Sequence, residues 1–115
     1  GQNDFANAII AVGSRIIVAG STSSGNNGFV ASLDQNLNAN NPIPLNFGGN
    51  DSAYALAAGS DGSIFVAGSG GAGNNFAVVR FNSDLANPVQ QLYNVGAIDE
   101  AYSIVVHPVT GRVYL

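Results

Sequence analysis

The chain contains a segment of about 48 residues that occurs twice, and a third copy begins near the end. Residues 3–9 (NDFANAI) align with residues 50–56 (NDSAYAL) and with residues 98–104 (IDEAYSI). Residues 16–21 (IIVAGS) align with residues 64–69 (IFVAGS) in the same way. A repeat period of roughly 40–50 residues indicates a propeller, a solenoid or a linear array of repeats.

The second copy predicts four short β-strands and no helix. Short apolar or alternating runs occur at residues 53–58, 64–67, 76–81 and 90–95. Asp61-Gly62 lies between two of them and is a strong hairpin signal, because glycine tolerates positive φ. The glycine-rich residues 68–75 predict a loop, since glycine loses much backbone entropy when it is held in a strand. Four hairpin-connected strands per repeat predict an all-β fold made of propeller blades.

The other two copies indicate the domain organisation. The first copy predicts strands at residues 8–12, 15–19, 28–33 and 43–47. The third copy reaches Leu115 after its first two strands. The repeats therefore predict two complete blades at residues 1–49 and 50–97, and a partial third blade at residues 98–115. Known propellers close with about four to eight blades, so we expect a piece of a larger propeller rather than a ring closed by identical chains.

Two stretches of the chain are similar to a known repeat. Residues 47–55 with 61–68, and residues 99–106 with 111–114, resemble the bacterial SBBP-type β-propeller repeat. Residues 75–82 resemble the related delta-sixty-type repeat. The resemblance implies a secreted or surface-anchored repeat protein without shared catalytic residues. The chain departs from it in the third strand, where Ser32 and Arg80 replace the usual lysine.

Charged residues are unusually sparse in this sequence. They make up 9% of it, against about 25% in a typical protein. The net charge is −4 and the only basic residues are Arg15, Arg80 and Arg112. Scattered cations of this kind disfavour nucleic acid and anionic membrane surfaces as partners. No apolar run approaches the ~20 residues of a spanning helix, so membrane insertion is not expected.

The absence of cysteine leaves no disulfide and no thiolate metal site to consider. With so few charged residues and no lysine, the chain must depend on Asn, Ser, Gly and Gln for solubility. Such a surface resembles those of bacterial secreted and cell-surface repeat proteins. We therefore expect an extracellular location, either secreted or on the cell surface.

An aspartate recurs at the start of each copy, as Asp4, Asp51 and Asp99. A ring of these carboxylates around a channel could bind Ca²⁺, but calcium loops bring several oxygen ligands at short spacing. Here only Asp99 and Glu100 are adjacent. We favour the alternative, in which each carboxylate accepts backbone N–H bonds at the entry turn. A structural calcium ion is thus conceivable but unsupported, and no cofactor is predicted.

The other candidate residues point to structure rather than to catalysis. His107 is the only histidine, and a base or a metal ligand needs partners that the sequence lacks. We expect it to be an exposed loop residue. The glycines at residues 70–73 precede a strand and no lysine follows them, so they do not predict a phosphate loop. Since no Gly-x-Ser-x-Gly motif occurs either, we predict no catalytic, cofactor-binding or metal-ligating residue and no enzyme activity.

The tyrosines Tyr54, Tyr93, Tyr102 and Tyr114 could line a surface that binds carbohydrate or peptide. Tyr54 and Tyr102 occupy the same position in their repeats, however. A shared packing position between neighbouring blades is therefore the interpretation that we favour for these two residues.

The leading functional hypothesis is a non-enzymatic scaffold or binding module of a secreted or surface protein. Loops at residues 20–28 and 68–75 would contact the partner, which could be a protein, a glycan, further blades of the same protein or another copy of the chain. One alternative is a structural subunit of an extracellular fibre or layer that assembles through open blade edges. A second alternative is a non-catalytic part of a larger propeller enzyme.

Overall fold

A computed structural model describes residues 3–22, 27–40, 42–71, 75–95 and 99–115. It shows an all-β chain, with no helix in these residues, and confirms two complete propeller blades followed by a partial third. Two antiparallel sheets have four strands each, and the third sheet has two. Strand order within each four-stranded sheet follows the chain, so every connection inside a blade is a hairpin.

We refer to the three sheets as blades 1, 2 and 3. Blade 1 consists of β1 (Asp4–Val12), β2 (Arg15–Thr22), β3 (Gly28–Leu33) and β4 (Ile43–Leu45). Blade 2 consists of β5 (Ser52–Ala58), β6 (Ile64–Gly70), β7 (Asn75–Phe81) and β8 (Val89–Tyr93). Blade 3 consists of β9 (Val105–Val106) and β10 (Val113–Tyr114).

The last strand of each complete blade forms an outer edge. All five residues of β8 are exposed, as its polar sequence predicts. β4 has only three residues and contains Pro44. Proline and short length both limit pairing with other chains at an exposed edge.

The second strand of blade 2 is longer than the sequence indicates. The prediction of a loop over residues 68–75 is wrong at both ends, because β6 continues to Gly70 and β7 begins at Asn75. A Cβ on Gly68 would overlap the carbonyl oxygen of Ser52, and one on Gly70 would overlap Asp51. Glycine is therefore required here for close backbone approach inside a strand, and not for loop flexibility.

The predicted loop at residues 20–28 is likewise shorter than expected. β2 continues through residues 20–22, and β3 begins at Gly28. Gly20 is the repeat equivalent of Gly68, and a Cβ on it would overlap the carbonyl oxygen of Phe5. The same close approach thus occurs in both complete blades.

A β-bulge in the first strand of each complete blade accounts for this contact. The pairing of β1 with β2 skips Asn7, and the pairing of β5 with β6 skips Tyr54. These two residues occupy equivalent positions in the repeats. A bulge leaves one residue unpaired and redirects its side chain, which gives Asn7 and Tyr54 a different orientation from a regular strand residue.

The main core lies between blades 1 and 2. We call the face that a blade turns to the preceding repeat its upstream face, and the other its downstream face. The downstream face of blade 1 contributes Ile17, Ala19, Val30 and Leu45, and the upstream face of blade 2 contributes Leu56, Ile64, Val66, Val79, Phe81 and Leu85. Burial of these apolar side chains against each other is the principal favourable contribution to folding.

A smaller core joins blade 2 to blade 3. Ala67, Ala101 and Ile104 are buried there, and Phe65 and Val78 pack around them partly exposed. No helix in the described part of the chain has the length and apolar character required to cross a membrane.

Candidate binding surface

Two of the three recurring aspartates, Asp51 and Asp99, hold the backbone at the crossover between blades. Asp51 is almost completely buried, and its two carboxylate oxygens accept N–H bonds from Phe47 at 2.9 Å and Gly71 at 3.1 Å. Asp99 accepts the N–H of Val95 at 2.7 Å. The N–H groups of Phe47 and Val95 each lie four residues before the aspartate that accepts them, so these two hydrogen bonds close the segment that joins one blade to the next. These contacts support the interpretation of the aspartates as backbone acceptors.

The same contacts argue against a cation at Asp51, because both of its oxygens already face N–H donors. Asp4, the equivalent residue of blade 1, is exposed. In the residues that the structure describes, no group of three or more His, Cys, Asp or Glu side chains is arranged to hold a metal ion.

The bulged residues reach from one blade to the next. The side-chain amide of Asn7 donates to the carbonyl of Ala53 at 2.8 Å. The ring of Tyr54 packs on that of Tyr102, with the ring centres 4.9 Å apart, and both hydroxyls donate to Glu100. Tyr54 and Tyr102 therefore contact each other between blades, as the favoured interpretation supposes, but Tyr102 is 65% exposed and the pair is not part of the core.

A different aromatic pair is presented at the outer part of blade 2. Phe76, next to the start of β7, stacks on Tyr93 at the end of β8 with the ring centres 4.8 Å apart and the planes within 15°. Tyr93 is 45% exposed. The pair lies at the rim where the predicted binding loop at residues 68–75 connects two strands. Residues 23–26 and 72–74 of the two predicted loops lie outside the described residues.

Tyr93 also lines a groove of about 230 Å³ between the downstream face of blade 2 and β10. Phe65, Val78 and Leu115 contribute apolar surface to its lining, and Gln91 and Arg80 contribute polar groups. The lining combines aromatic and aliphatic surface with a few polar side chains. This composition is typical of sites that bind small molecules or polymers.

The single cation of the groove is held by its neighbours. Arg80 forms an ion pair with Asp61 at 3.3 Å and donates to the hydroxyl of Ser63 at 2.8 Å. Its guanidinium also lies 6.0 Å from the centre of the Phe65 ring. The backbone N–H of Ser63 is the main cause of a lowered pKa at Asp61, followed by the Ser63 hydroxyl and, more weakly, by Arg80. The groove therefore presents little uncompensated charge.

His107 lies in the turn between β9 and β10, where it is exposed. Its Nδ1 accepts the backbone N–H groups of Val109 and Thr110, both at 3.2 Å. These bonds give the histidine a role in the geometry of the turn. Tyr114, the last of the four tyrosines, is also exposed and does not line the groove.

Sequence reasoning did not identify the Phe76–Tyr93 pair or the cluster around Arg80. The two aromatic residues are direct cross-strand partners in the register of β7 and β8. The available signal was weak, because that register depends on the irregular turn at residues 82–88. Arg80 pairs with Phe65 across β6 and β7, which likewise becomes visible only once the register is known.

Comparison with protein families matches part of the chain to a domain of unknown function (DUF5122) described as a beta-propeller, over residues 59–86. The chain is similar to a β-propeller repeat family. The matched residues extend from the turn before β6 to the turn after β7. A search among curated proteins found no match. The match supports a propeller repeat module and leaves the SBBP type of the repeat as a prediction.

Proposed function

We propose that this propeller repeat module is a non-enzymatic binding module of a secreted or cell-surface protein. Its ligand would be an uncharged polar polymer, namely a glycan or a cell-wall polysaccharide. It would bind along the groove of blade 2. The observation that carries the proposal is the stacking of the exposed Tyr93 on the partly buried Phe76 beside this groove.

The chemistry of the groove favours a neutral ligand. Aromatic rings provide a large and rigid contact surface at low cost in conformational entropy, and a sugar ring can lie flat on them. The amide of Gln91 can both donate and accept hydrogen bonds, as hydroxyl groups require. Arg80 already pairs with Asp61, so an anionic ligand would compete with a carboxylate for it. These groups together suit a ligand with many hydroxyl groups and no charge.

Rigid placement of the groove supports the same role. Tyr93 stacks on Phe76, and Phe65 packs against the core between blades 2 and 3. A surface whose side chains are already fixed loses little entropy on binding. The extracellular location is proposed from the lysine-free composition rich in Asn, Ser and Gly.

The test is binding of the 115-residue chain to a glycan array and to purified cell-wall polysaccharides. We expect Tyr93→Ala to weaken binding about tenfold, which corresponds to about 1.4 kcal/mol. The control is Tyr114→Ala, which removes an exposed tyrosine outside the groove and should leave affinity unchanged. Binding to none of these polymers would contradict the proposed ligand class, and equal loss in both variants would contradict the location.

A further inference from the structure

The outer edges of the two complete blades are built differently. β4 has three residues, and Pro44 is the middle one. β8 has five residues without a proline, and all five pair with β7. Propeller edges are normally short and protected, because a row of unpaired backbone N–H and C=O groups can pair with another strand. The edge of blade 1 has this protection, and the edge of blade 2 does not.

The free side of β8 belongs to the outer rim of the propeller. The strand order of blade 2 places β7 on one side of β8, and within the described residues no strand pairs with the other side. Adjoining blades pack on the faces of a sheet, as blade 1 does on blade 2, and do not cover its edge. The free backbone groups are therefore a property of blade 2 itself, whatever the number of blades in the ring.

The composition of β8 favours pairing with an identical strand. Charged side chains, lysine above all, commonly keep edge strands apart, but residues 85–95 carry no charge. Residues 89–95 (VQQLYNV) also contain no proline and no glycine, and are rich in residues that favour strands. Uncharged segments of this length and type are the ones that pair with copies of themselves.

We propose that β8 pairs with β8 of a second copy of this chain. The two strands run antiparallel about a two-fold axis at Gln91. Gln91 then lies opposite the partner's Gln91, and Val89 lies opposite the partner's Tyr93. A β-branched residue facing an aromatic one is a favourable cross-strand pair, and two facing amides can hydrogen-bond to each other. The strand is thus complementary to itself, which favours a second copy over a strand of different sequence.

A contact of this kind is isologous, so it closes at the dimer. It joins the second blades of two copies into one continuous sheet. The contact uses the backbone of the edge, whereas the proposed polysaccharide site uses side chains on a face of blade 2. Dimerisation measured without any polymer therefore tests this inference separately from the proposed function.

The absence of cysteine from the chain makes disulfide trapping a specific test. Opposite residues of antiparallel strands have Cα atoms about 4.5–5.5 Å apart, which a disulfide can span. Gln91→Cys should form a crosslinked dimer under mild oxidation. Val89→Cys and Tyr93→Cys should crosslink when mixed but not when alone. The control is Gln35→Cys, at an exposed turn position of blade 1, which should remain monomeric.

Charge substitution gives a matching measurement in solution by sedimentation equilibrium. Gln91→Lys or Gln91→Glu places like charges opposite each other, so each variant alone should raise the dissociation constant of the dimer by about tenfold. An equimolar mixture of the two variants should restore dimerisation, because it places opposite charges across the axis. The same substitutions at Gln35 should have no effect.

Circular dichroism checks that each variant is folded. Amide hydrogen exchange of wild-type β8, which should slow at alternate residues as the concentration rises, replaces any variant that is not. A Gln91→Cys variant that crosslinks no faster than Gln35→Cys overturns the proposal. So does dimerisation that neither charged variant weakens, or a wild type that is monomeric at every concentration, which would leave the edge to a strand of another protein.

Discussion

Blade 1 and blade 2 share their strand order, the position of their bulge and the conformation of the turn after their third strand. Within the described residues they differ in the number of neighbours, since blade 2 packs against blades 1 and 3 and blade 1 packs against blade 2. Ile9 and Leu56 have the same place in the pattern, and only the second is buried. A blade of this kind therefore obtains much of its apolar burial from adjacent blades, as expected for a repeat protein.

The two downstream faces differ in residue type as well as in coverage. Ser32 and Leu45 on blade 1 are buried against blade 2. The equivalent positions of blade 2 carry Arg80 and Tyr93, which line the groove and are roughly half exposed. Two positions that are buried in blade 1 thus carry larger, partly exposed side chains in blade 2. This difference makes the groove a candidate for binding.

The largest expected effect concerns the glycine beside the bulge. Gly68→Ala should lower the free energy of unfolding by about 3 kcal/mol, because the added Cβ overlaps the carbonyl of Ser52 in a strand held between two neighbours. Gly20→Ala places the same clash in blade 1, where β1 can shift toward its open side, and should cost about 2 kcal/mol. Urea denaturation of the two variants measures both effects.

Gly13→Ala is the matched control for these two variants. Gly13 has a φ of 60°, but a Cβ on it would meet no atom within 4 Å. Its substitution should cost only about 1 kcal/mol, through backbone strain alone. Equal losses in all three variants would mean that the close approach at the bulge contributes nothing special.

A loss similar to that of Gly68→Ala at Leu56, and a much smaller loss at Ile9, are expected from truncating these matched apolar residues. Leu56→Ala should destabilise the chain by about 3 kcal/mol, since it leaves a cavity in the main core. Ile9→Ala should cost less than about 1 kcal/mol in the monomer, because the side chain is largely in water. The midpoint of urea denaturation, measured at a concentration where the chain is monomeric, reports the difference. Similar losses for both residues would show that the two faces are equally covered.

The smallest expected effect is on the pH dependence of stability, and it again separates the two blades. Hydrogen bonds lower the pKa of Asp34 in blade 1, chiefly from the Asn38 side chain, and that of Asp61 in blade 2, chiefly from the Ser63 backbone. A lowered folded-state pKa adds stability above the unfolded-state value, and this stability is lost as the pH falls through the folded-state value, below about 4.

Asp34→Asn and Asp61→Asn should therefore be slightly less stable than the wild type at pH 7, and the differences should disappear near pH 2. Added salt should reduce only the Asp61 difference, since Arg80 contributes to it. Urea midpoints measured across this pH range give the result. A difference that grows on acidification would contradict the direction of the pKa changes.

The regular part of the fold could be predicted from the sequence because it depends on local patterns. The repeat, the alternation in residues 53–58 and the Asp61-Gly62 turn together identify the hairpins and hence the blades. The prediction of a loop from local preference was wrong at residues 68–70, where two glycines lie inside β6. The reason is a contact with Ser52 and Asp51, which are distant in sequence, and an argument from glycine entropy alone does not include such contacts.

The candidate site was less predictable than the fold for a related reason. A contact between blades was anticipated for Tyr54 and Tyr102, because both residues recur at one repeat position, but their packing on each other was not. The stacking of Tyr93 on Phe76 depends on cross-strand register, and Phe76 has a glycine, Gly28, as its counterpart in blade 1. Features unique to one copy give no repeat signal, and the groove is made of such features.

The extra residue at each bulge lets the first strand of a blade contribute both to the core and to the connection between blades. Side chains alternate between the faces of a sheet, so an inserted residue reverses the alternation from that point on. In β5 the side chain of Leu56, after Tyr54, lies in the core. Before Tyr54 the strand begins next to Asp51, which lies at the crossover between blades. Removing the insertion would exchange inward and outward positions in one half of the strand. One unpaired residue thus allows the same strand to bury its apolar side chains in the core and to place the linking aspartate at the crossover.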